Sequence, residues 1–207
     1  MHNILITQKA LKDKHNQLVW SLENNWYKYF KNKNINLISI NSNYQNFKNI
    51  IKIKPKGIIF SGGNDLYFLK KKKVNLIRDN LEKKILKTAI KNRIPILGVC
   101  RGFQFIANYF RCKIIKQKGH VRTTHSLKTN EKIYGLKLKK INVNSYHDYI
   151  VKKLPKTFDF IVKDKDNSIE IAYSKKFKIL NFMFHPERKN FSQRIVDKLL
   201  FSHFNIK

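Results

Sequence analysis

The chain has 207 residues, 42% of them hydrophobic and 13% aromatic, and 44 Lys and Arg against 13 Asp and Glu give a formal net charge of +31. That length fits a single domain over residues 1–207, able to bury roughly 70% of its unfolded surface, and no apolar run reaches the ~18 residues of a membrane-spanning helix. Two cysteines, Cys100 and Cys112, exclude a disulfide framework, and the N-terminus MHNILITQKALKDKH lacks the regions of a signal peptide, so a reducing, cytoplasmic setting is expected.

In chain order, residues 3–7 (NILIT) read as a buried strand and residues 19–30 as a helix with apolar and aromatic residues at helical spacing. Residues 36–40 (NLISI) and 57–60 (GIIF) read as strands, the second ending in SGGND. Residues 74–90 carry Val74, Ile77, Leu81, Ile85, Leu86, Ala89 and Ile90 on one helical stripe. Residues 95–99 form a fourth strand, followed by a helix over 103–110. Strands alternating with helices over short connections predict an α/β domain with a mostly parallel central sheet flanked by helices. The second half reads as strands at 113–116, 138–143, 158–162, 169–173 and 179–184, with turns at 163–168 and 174–178. These predict a smaller antiparallel part. A helix over 191–204, capped by Asn190 or Ser192, closes the chain.

The stretch GVCRGFQ, 98–104, sets Cys100 between two glycines on a strand-to-helix corner. A nucleophile on such a corner sits in strained backbone at the carboxyl end of the sheet, where ligands of open α/β sheets bind. The helix N-terminus favours the thiolate and offers the Arg101 N–H to a developing oxyanion. A buried structural cysteine is the alternative. A thiol nucleophile needs a base and the base an orienter. FMFHPE places His185 at a strand end with Glu187 two residues on, in a chain poor in acids, and Pro186 fixes the turn between them. In SGGND, Gly62 and Gly63 let backbone approach a substrate and turn N–H groups inward.

Jointly, GVCRGFQ after a strand, an earlier SGG loop and a late HPE closely resemble the class I glutamine amidotransferase superfamily, over nearly the whole chain. The resemblance implies a flavodoxin-like α/β fold with an added antiparallel part. It implies Cys100 as nucleophile, His185 as base, Glu187 as orienter, and the backbone N–H groups of Gly63 and Arg101 as oxyanion hole. It implies that Gly62 and Gln104 help hold the glutamyl group, and that NSYHDY, 144–149, contacts the substrate's α-amino and α-carboxylate groups through Tyr146, His147 and Asp148. No metal and no organic cofactor are implied.

Within the superfamily, C-R-G at 100–102 and N-S-x-H at 144–147 are similar to free-standing γ-glutamyl hydrolases of the γ-glutamyl-γ-aminobutyrate group. Asp148 and Tyr149 depart from that group's usual His and Gln, which leaves the leaving group open. The whole pattern most resembles the branch of capsule phosphoramidate biosynthesis that cleaves γ-glutamyl-CDP-amidate to glutamate and cytidine diphosphoramidate without an obligate synthase partner. The alternatives are a γ-glutamyl-γ-aminobutyrate-type hydrolase and the glutaminase subunit of a synthase. A nucleic-acid-binding protein on an inactive enzyme fold ranks last.

The basic surplus fits a pyrophosphate-bearing leaving group at the crevice mouth, with Arg101, Arg122 and the Lys and His residues of KGHVRTTH, 118–125, as candidate contacts. Lys, Asn and Ile are abundant together and Arg is scarce, as coding sequence poor in G and C produces. That composition accounts for the surplus ahead of nucleic-acid or membrane binding, and KKKK at 70–73 reads as a solvated loop or helix start. His120 and His125, five apart with no Cys or carboxylate nearby in sequence, do not read as a metal pair.

Overall fold

A computed structural model describes residues 1–41 and 43–206. Seven strands form the central sheet in the order Phe160–Lys163, Ile169–Ser174, Ile179–Phe182, Ile96–Val99, Gly57–Phe60, His2–Thr7, Ile35–Ile40. The last five run parallel, and the first two add antiparallel at one edge. The interior strands GIIF, ILGV and ILNF are buried at every position, which is why they read as continuous apolar runs rather than alternating ones.

Strand alternation divides the core between the two faces. Ile4, Ile6, Ile59, Leu97, Val99, Leu180 and Phe182 point to one side, against the helices Asn24–Phe30 and Gln193–His203. Leu5, Ile58, Phe60, Ile96 and Ile179 point to the other, against Tyr44–Ile50, Lys73–Lys91 and Arg101–Tyr109. The stripe read over 74–90 is the buried face of Lys73–Lys91, through Leu81, Ile85, Leu86 and Ala89. Among the described residues no helix is long and apolar enough to cross a membrane. Cys100 and Cys112 are both free.

The structure departs from the sequence expectations in several places: neither Asn190 nor Ser192 caps the last helix with its side chain, the short strands Lys132–Ile133, Leu136–Lys137 and Tyr149–Val151 were not expected, and three further segments differ for local reasons. The helix expected over 19–30 begins only at Asn24, and Leu18–Ser21 is instead a strand paired with Lys9–Lys12. The reason lies in KDKHNQ: the Asp13 carboxylate accepts the N–H groups of His15 and Gln17 at 2.9 and 2.8 Å, and Asn16 takes φ 61°, closing a hairpin turn. The strand expected over 138–143 runs from Lys140 to Tyr146 and pairs with Val121–Lys128, a strand the sequence reading passed over. That segment buries only His125 and Leu127, so its apolar alternation is faint. Helix Tyr44–Ile50, capped by the Asn43 side chain on the Gln45 N–H, was also not expected.

The two corner glycines are required by close approach. A Cβ at Gly102 would lie 1.9 Å from the Phe60 carbonyl oxygen, and one at Gly98 2.3 Å from Asn181 Oδ1. Alanine normally favours a helix interior by up to ~1 kcal/mol over glycine. Here the sign reverses, because the obstacle is backbone of the neighbouring strand. Gly102→Ala is expected to lower the unfolding free energy by about 1–3 kcal/mol, read by urea denaturation; an unchanged or raised midpoint contradicts this packing.

Candidate active site

Strand Ile96–Val99 ends in Cys100, which occupies φ 51°, ψ −106° before helix Arg101–Tyr109 begins. A non-glycine residue in that region is strained. The surroundings hold it there: the Cys100 N–H donates to the Phe182 carbonyl at 2.8 Å, and its own carbonyl accepts the Gln104 N–H at 3.0 Å. The side chain is 7% exposed.

His185 follows the adjacent strand Ile179–Phe182, and its imidazole sits beside the Cys100 sulfur. Gly62 makes this approach possible, since a Cβ there would lie 2.8 Å from His185 Cε1. His185 Nδ1 is 2.6 Å from Glu187 Oε1, with both side chains buried. Burial alone would raise the Cys100 thiol; the neighbouring His185, with His147 adding less, holds it below the ordinary thiol value. Burial works against the imidazolium as well, but the charges of Glu187 and Cys100 raise His185 to about 10. Both directions favour the thiolate–imidazolium pair over the neutral one. The His185 main chain is clamped by Asn144, which accepts its N–H at 2.9 Å and donates to its carbonyl at 2.8 Å. Asn190 adds a bond to the same carbonyl at 3.0 Å.

The SGGN loop owes its shape to Arg78, a residue the sequence reading did not select. Arg78 is fully buried and donates to the carbonyls of Ser61, Gly62 and Gly63 at 2.7, 3.1 and 2.7 Å. In a trans peptide the C=O and the next N–H point in opposite directions. Turning the Gly62 carbonyl onto Arg78 therefore turns the Gly63 N–H away from Arg78, and Gly63 lines the cavity beside Cys100. Gly63 adopts φ 74°, a conformation that favours glycine. Burial lowers Arg78 to about 9, which leaves it charged at neutral pH. Its neutralising partner is Glu82, 2.9 Å away and fully buried.

The Arg101 side chain corrects one expectation. Instead of reaching the crevice mouth it is buried and ion-paired with Asp79 and Glu82, leaving only its backbone for a ligand. Arg122 is exposed and does not line the cavity, and His120 and His125 are buried elsewhere, so these three are not contacts either. The reason for setting aside His120 and His125 as a pair also fails in space, since Asp164 and Glu170 fold up against them and His147.

The cavity encloses about 160 Å³, with Gly63, Cys100, Gln104, His147 and His185 among the residues lining it. That is roughly five waters' worth of liquid volume, room for an amino-acid-sized group but not a nucleotide. The Gln104 and His147 side chains both donate to the Tyr149 carbonyl, at 3.0 and 3.1 Å, which fixes that wall. Tyr146 packs edge to face with His185 at 6.0 Å, and the Arg188 guanidinium lies over the Tyr146 ring at 4.5 Å. Arg188 and Lys9 share Glu23 across the mouth. Asp148 lies exposed at the rim. A wider groove of about 590 Å³ shares Asn64 and Asp65 with the cavity and continues past Lys12, Lys72 and Lys73.

Removing Arg78 would strand Glu82 with one cation fewer and release three carbonyls. Arg78→Met is expected to lower the unfolding free energy by about 3–5 kcal/mol in a urea titration. A loss below ~1 kcal/mol contradicts the tethering role.

Comparison with known proteins agrees with this architecture. The profile of the family "Glutamine amidotransferase class-I" matches residues 10–201. The chain is 32% identical over 161 residues to the γ-glutamyl-CDP-amidate hydrolase of Campylobacter jejuni, covering 78% of this chain and 74% of that protein. It is 31% identical over 158 residues to the glutamine-hydrolysing GMP synthase of Caldicellulosiruptor saccharolyticus, covering 74% of this chain and 29% of that one. A glutamine amidotransferase structure from Thermotoga maritima superposes with a TM-score of 0.67 at 15% identity, over 99% of this chain and 82% of that one. The chain belongs to the class I glutamine amidotransferase family.

Proposed function

We propose that residues 1–207 act as one cysteine hydrolase of γ-glutamyl amides. One observation carries this: a strained buried thiol from one segment and an imidazole with its buried carboxylate from another converge at the carboxyl ends of adjacent parallel strands. In this reading the Cys100 thiolate attacks the γ-carbonyl carbon, and the N–H groups of Gly63 and Arg101 receive the oxyanion. As the tetrahedral intermediate collapses, His185 gives its Nε2 proton to the leaving nitrogen. Neutral His185 then takes a proton from water, the hydroxide adds to the thioester, and the second collapse frees glutamate and restores the thiolate. Glu187 holds the imidazole through Nδ1 and stabilises its charge. Gly62, Gln104, Tyr146, His147 and Asp148 surround the glutamyl group in this reading.

For the leaving group, the similarity to a γ-glutamyl-CDP-amidate hydrolase supports γ-glutamyl-CDP-amidate, split to glutamate and cytidine diphosphoramidate. The small cavity would take the acyl part, and the adjoining groove with Lys12, Lys72 and Lys73 would take the diphosphate. The test is kcat/KM over glutamine, γ-glutamyl-γ-aminobutyrate and γ-glutamyl-CDP-amidate. The nucleotide compound is expected to lead, and the Lys72→Ala/Lys73→Ala protein to lose about tenfold on it with glutamine unaffected. Equal loss on all three contradicts the leaving-group assignment. A second reading, a glutaminase that supplies ammonia to a synthase, is favoured by the similarity to GMP synthase. It requires glutamine to lead the panel.

The pH profile tests the acid–base roles. Activity rises as the Cys100 thiol ionises below its ordinary value and falls as His185 loses its proton near 10. Glu187 raises His185, so Glu187→Gln is expected to move the alkaline limb of kcat/KM to lower pH. An unmoved limb contradicts the assignment of Glu187.

A further inference from the structure

Behind the cavity, three imidazoles and a carboxylate meet in a buried cluster that the reaction above does not use as a unit. His120, His125, His147 and Glu170 are 0%, 5%, 3% and 0% exposed, and each offers a donor atom within 4.8 Å of the others. They come from four places in the fold: the loop before Val121–Lys128, that strand, the residue just after Lys140–Tyr146, and Ile169–Ser174. We propose that His120, His125, His147 and Glu170 bind one divalent transition-metal ion of the zinc class.

The argument starts from lone pairs. His147 Nδ1 faces the Tyr149 carbonyl at 3.1 Å, an acceptor, so Nδ1 carries a proton and Nε2 is the nitrogen left for a second proton or a metal ion. Nε2 faces Glu170 Oε1, 3.5 Å away, with no hydrogen-bond partner for His147 Nε2 or Glu170 Oε2 among the described residues. A buried imidazole nitrogen and a carboxylate oxygen facing each other need a proton or a metal ion between them, and the pair does not meet the geometry of a hydrogen bond that a proton would make. On the other side His120 Nδ1 is 3.0 Å from His125 Nε2. Ligand atoms about 2.0–2.1 Å from a tetrahedral zinc stand roughly 3.3 Å apart, so both spacings suit neighbouring ligands.

The surroundings are those of a metal site. Metal-bound histidines hand their second ring nitrogen to a carboxylate, carbonyl or amide. His147 has the Tyr149 carbonyl, and His120 Nε2 has the Gln117 amide group at 3.2 Å, whose nitrogen faces it and whose oxygen would have to turn over to accept the ring N–H once Nδ1 binds metal. His125 Nδ1 has Asp164 Oδ2 at 3.4 Å, an oxygen with no hydrogen-bond partner among the described residues. Glu170 Oε1 accepts from Ser168 Oγ at 2.9 Å. With three histidines and a glutamate closed off from solvent, the site is of the structural kind. Its ion would tie both strands of the added hairpin to the central sheet and fix His147 in the cavity wall.

The experiment uses the whole chain, chelated and then titrated with Zn²⁺ by calorimetry, and with Co²⁺ followed by visible absorption. One equivalent per chain is expected, with a tetrahedral cobalt spectrum lacking thiolate charge transfer and a melting temperature raised on adding zinc. His125→Ala and the near-isosteric Glu170→Gln should each abolish binding, and Asp164→Asn should weaken it about 10–100-fold. Cys100→Ser should retain the full equivalent, which separates this site from any metal held by Cys100 and His185. No uptake by the wild-type chain, or uptake lost in Cys100→Ser and kept in Glu170→Gln, overturns the proposal.

Discussion

Two guanidinium groups and two carboxylates lie between helix Lys73–Lys91 and the corner at Cys100, and the site takes its shape from them. Arg78 and Arg101 share Glu82, Asp79 takes the other side of Arg101, and Thr7 Oγ1 donates to Glu82 Oε1 at 2.8 Å. Buried ion pairs add little stability over well-packed apolar side chains, but breaking one is costly. What this network supplies is geometry. Arg78 gathers three consecutive carbonyls of the SGG loop, and Arg101 anchors the first turn of the helix that carries the nucleophile. The loop and the corner are thus held to one another by charge, so the peptide plane between Gly62 and Gly63 has a single orientation.

The chemistry is confined in the same manner. Of 13 acids, Glu82, Asp164, Glu170 and Glu187 are buried, each against Arg or His. In a chain of net charge +31, these carboxylates are where the interior's electrostatics are decided. Glu187 raises His185, and His185 in turn holds the Cys100 thiol down against the effect of burial. The lysine excess stays outside, where it can raise the local concentration of an anionic substrate without entering the small cavity.

Much of this was legible in the residues. Four-residue apolar runs gave the parallel strands, because strands covered on both faces need no polar positions. The glycine-bracketed cysteine announced its corner, and HPE its imidazole and carboxylate. Three things were hidden, each for a physical reason. The hairpin of Lys9–Lys12 and Leu18–Ser21 was masked because aromatic and apolar residues at 19–30 also fit a helical period, and only the Asp13–Asn16 turn decides between them. Arg78 falls on the buried stripe of its helix, between Val74 and Leu81, and only its charge hid the burial that this position implies. The histidine cluster draws Asp164 and Glu170 from nearly forty positions or more beyond His125, a distance that only the added strands close.

The central claim is that Cys100 carries the glutamyl group through a thioester. It is tested most directly by acid-quenching the protein during turnover of a γ-glutamyl amide and mapping the modified peptide by mass spectrometry. The account predicts a glutamyl adduct on the peptide containing Cys100, formed and lost at rates compatible with turnover. An unmodified Cys100 peptide at every quench time, in protein whose Cys100→Ala form still hydrolyses the substrate at the wild-type rate, would contradict it.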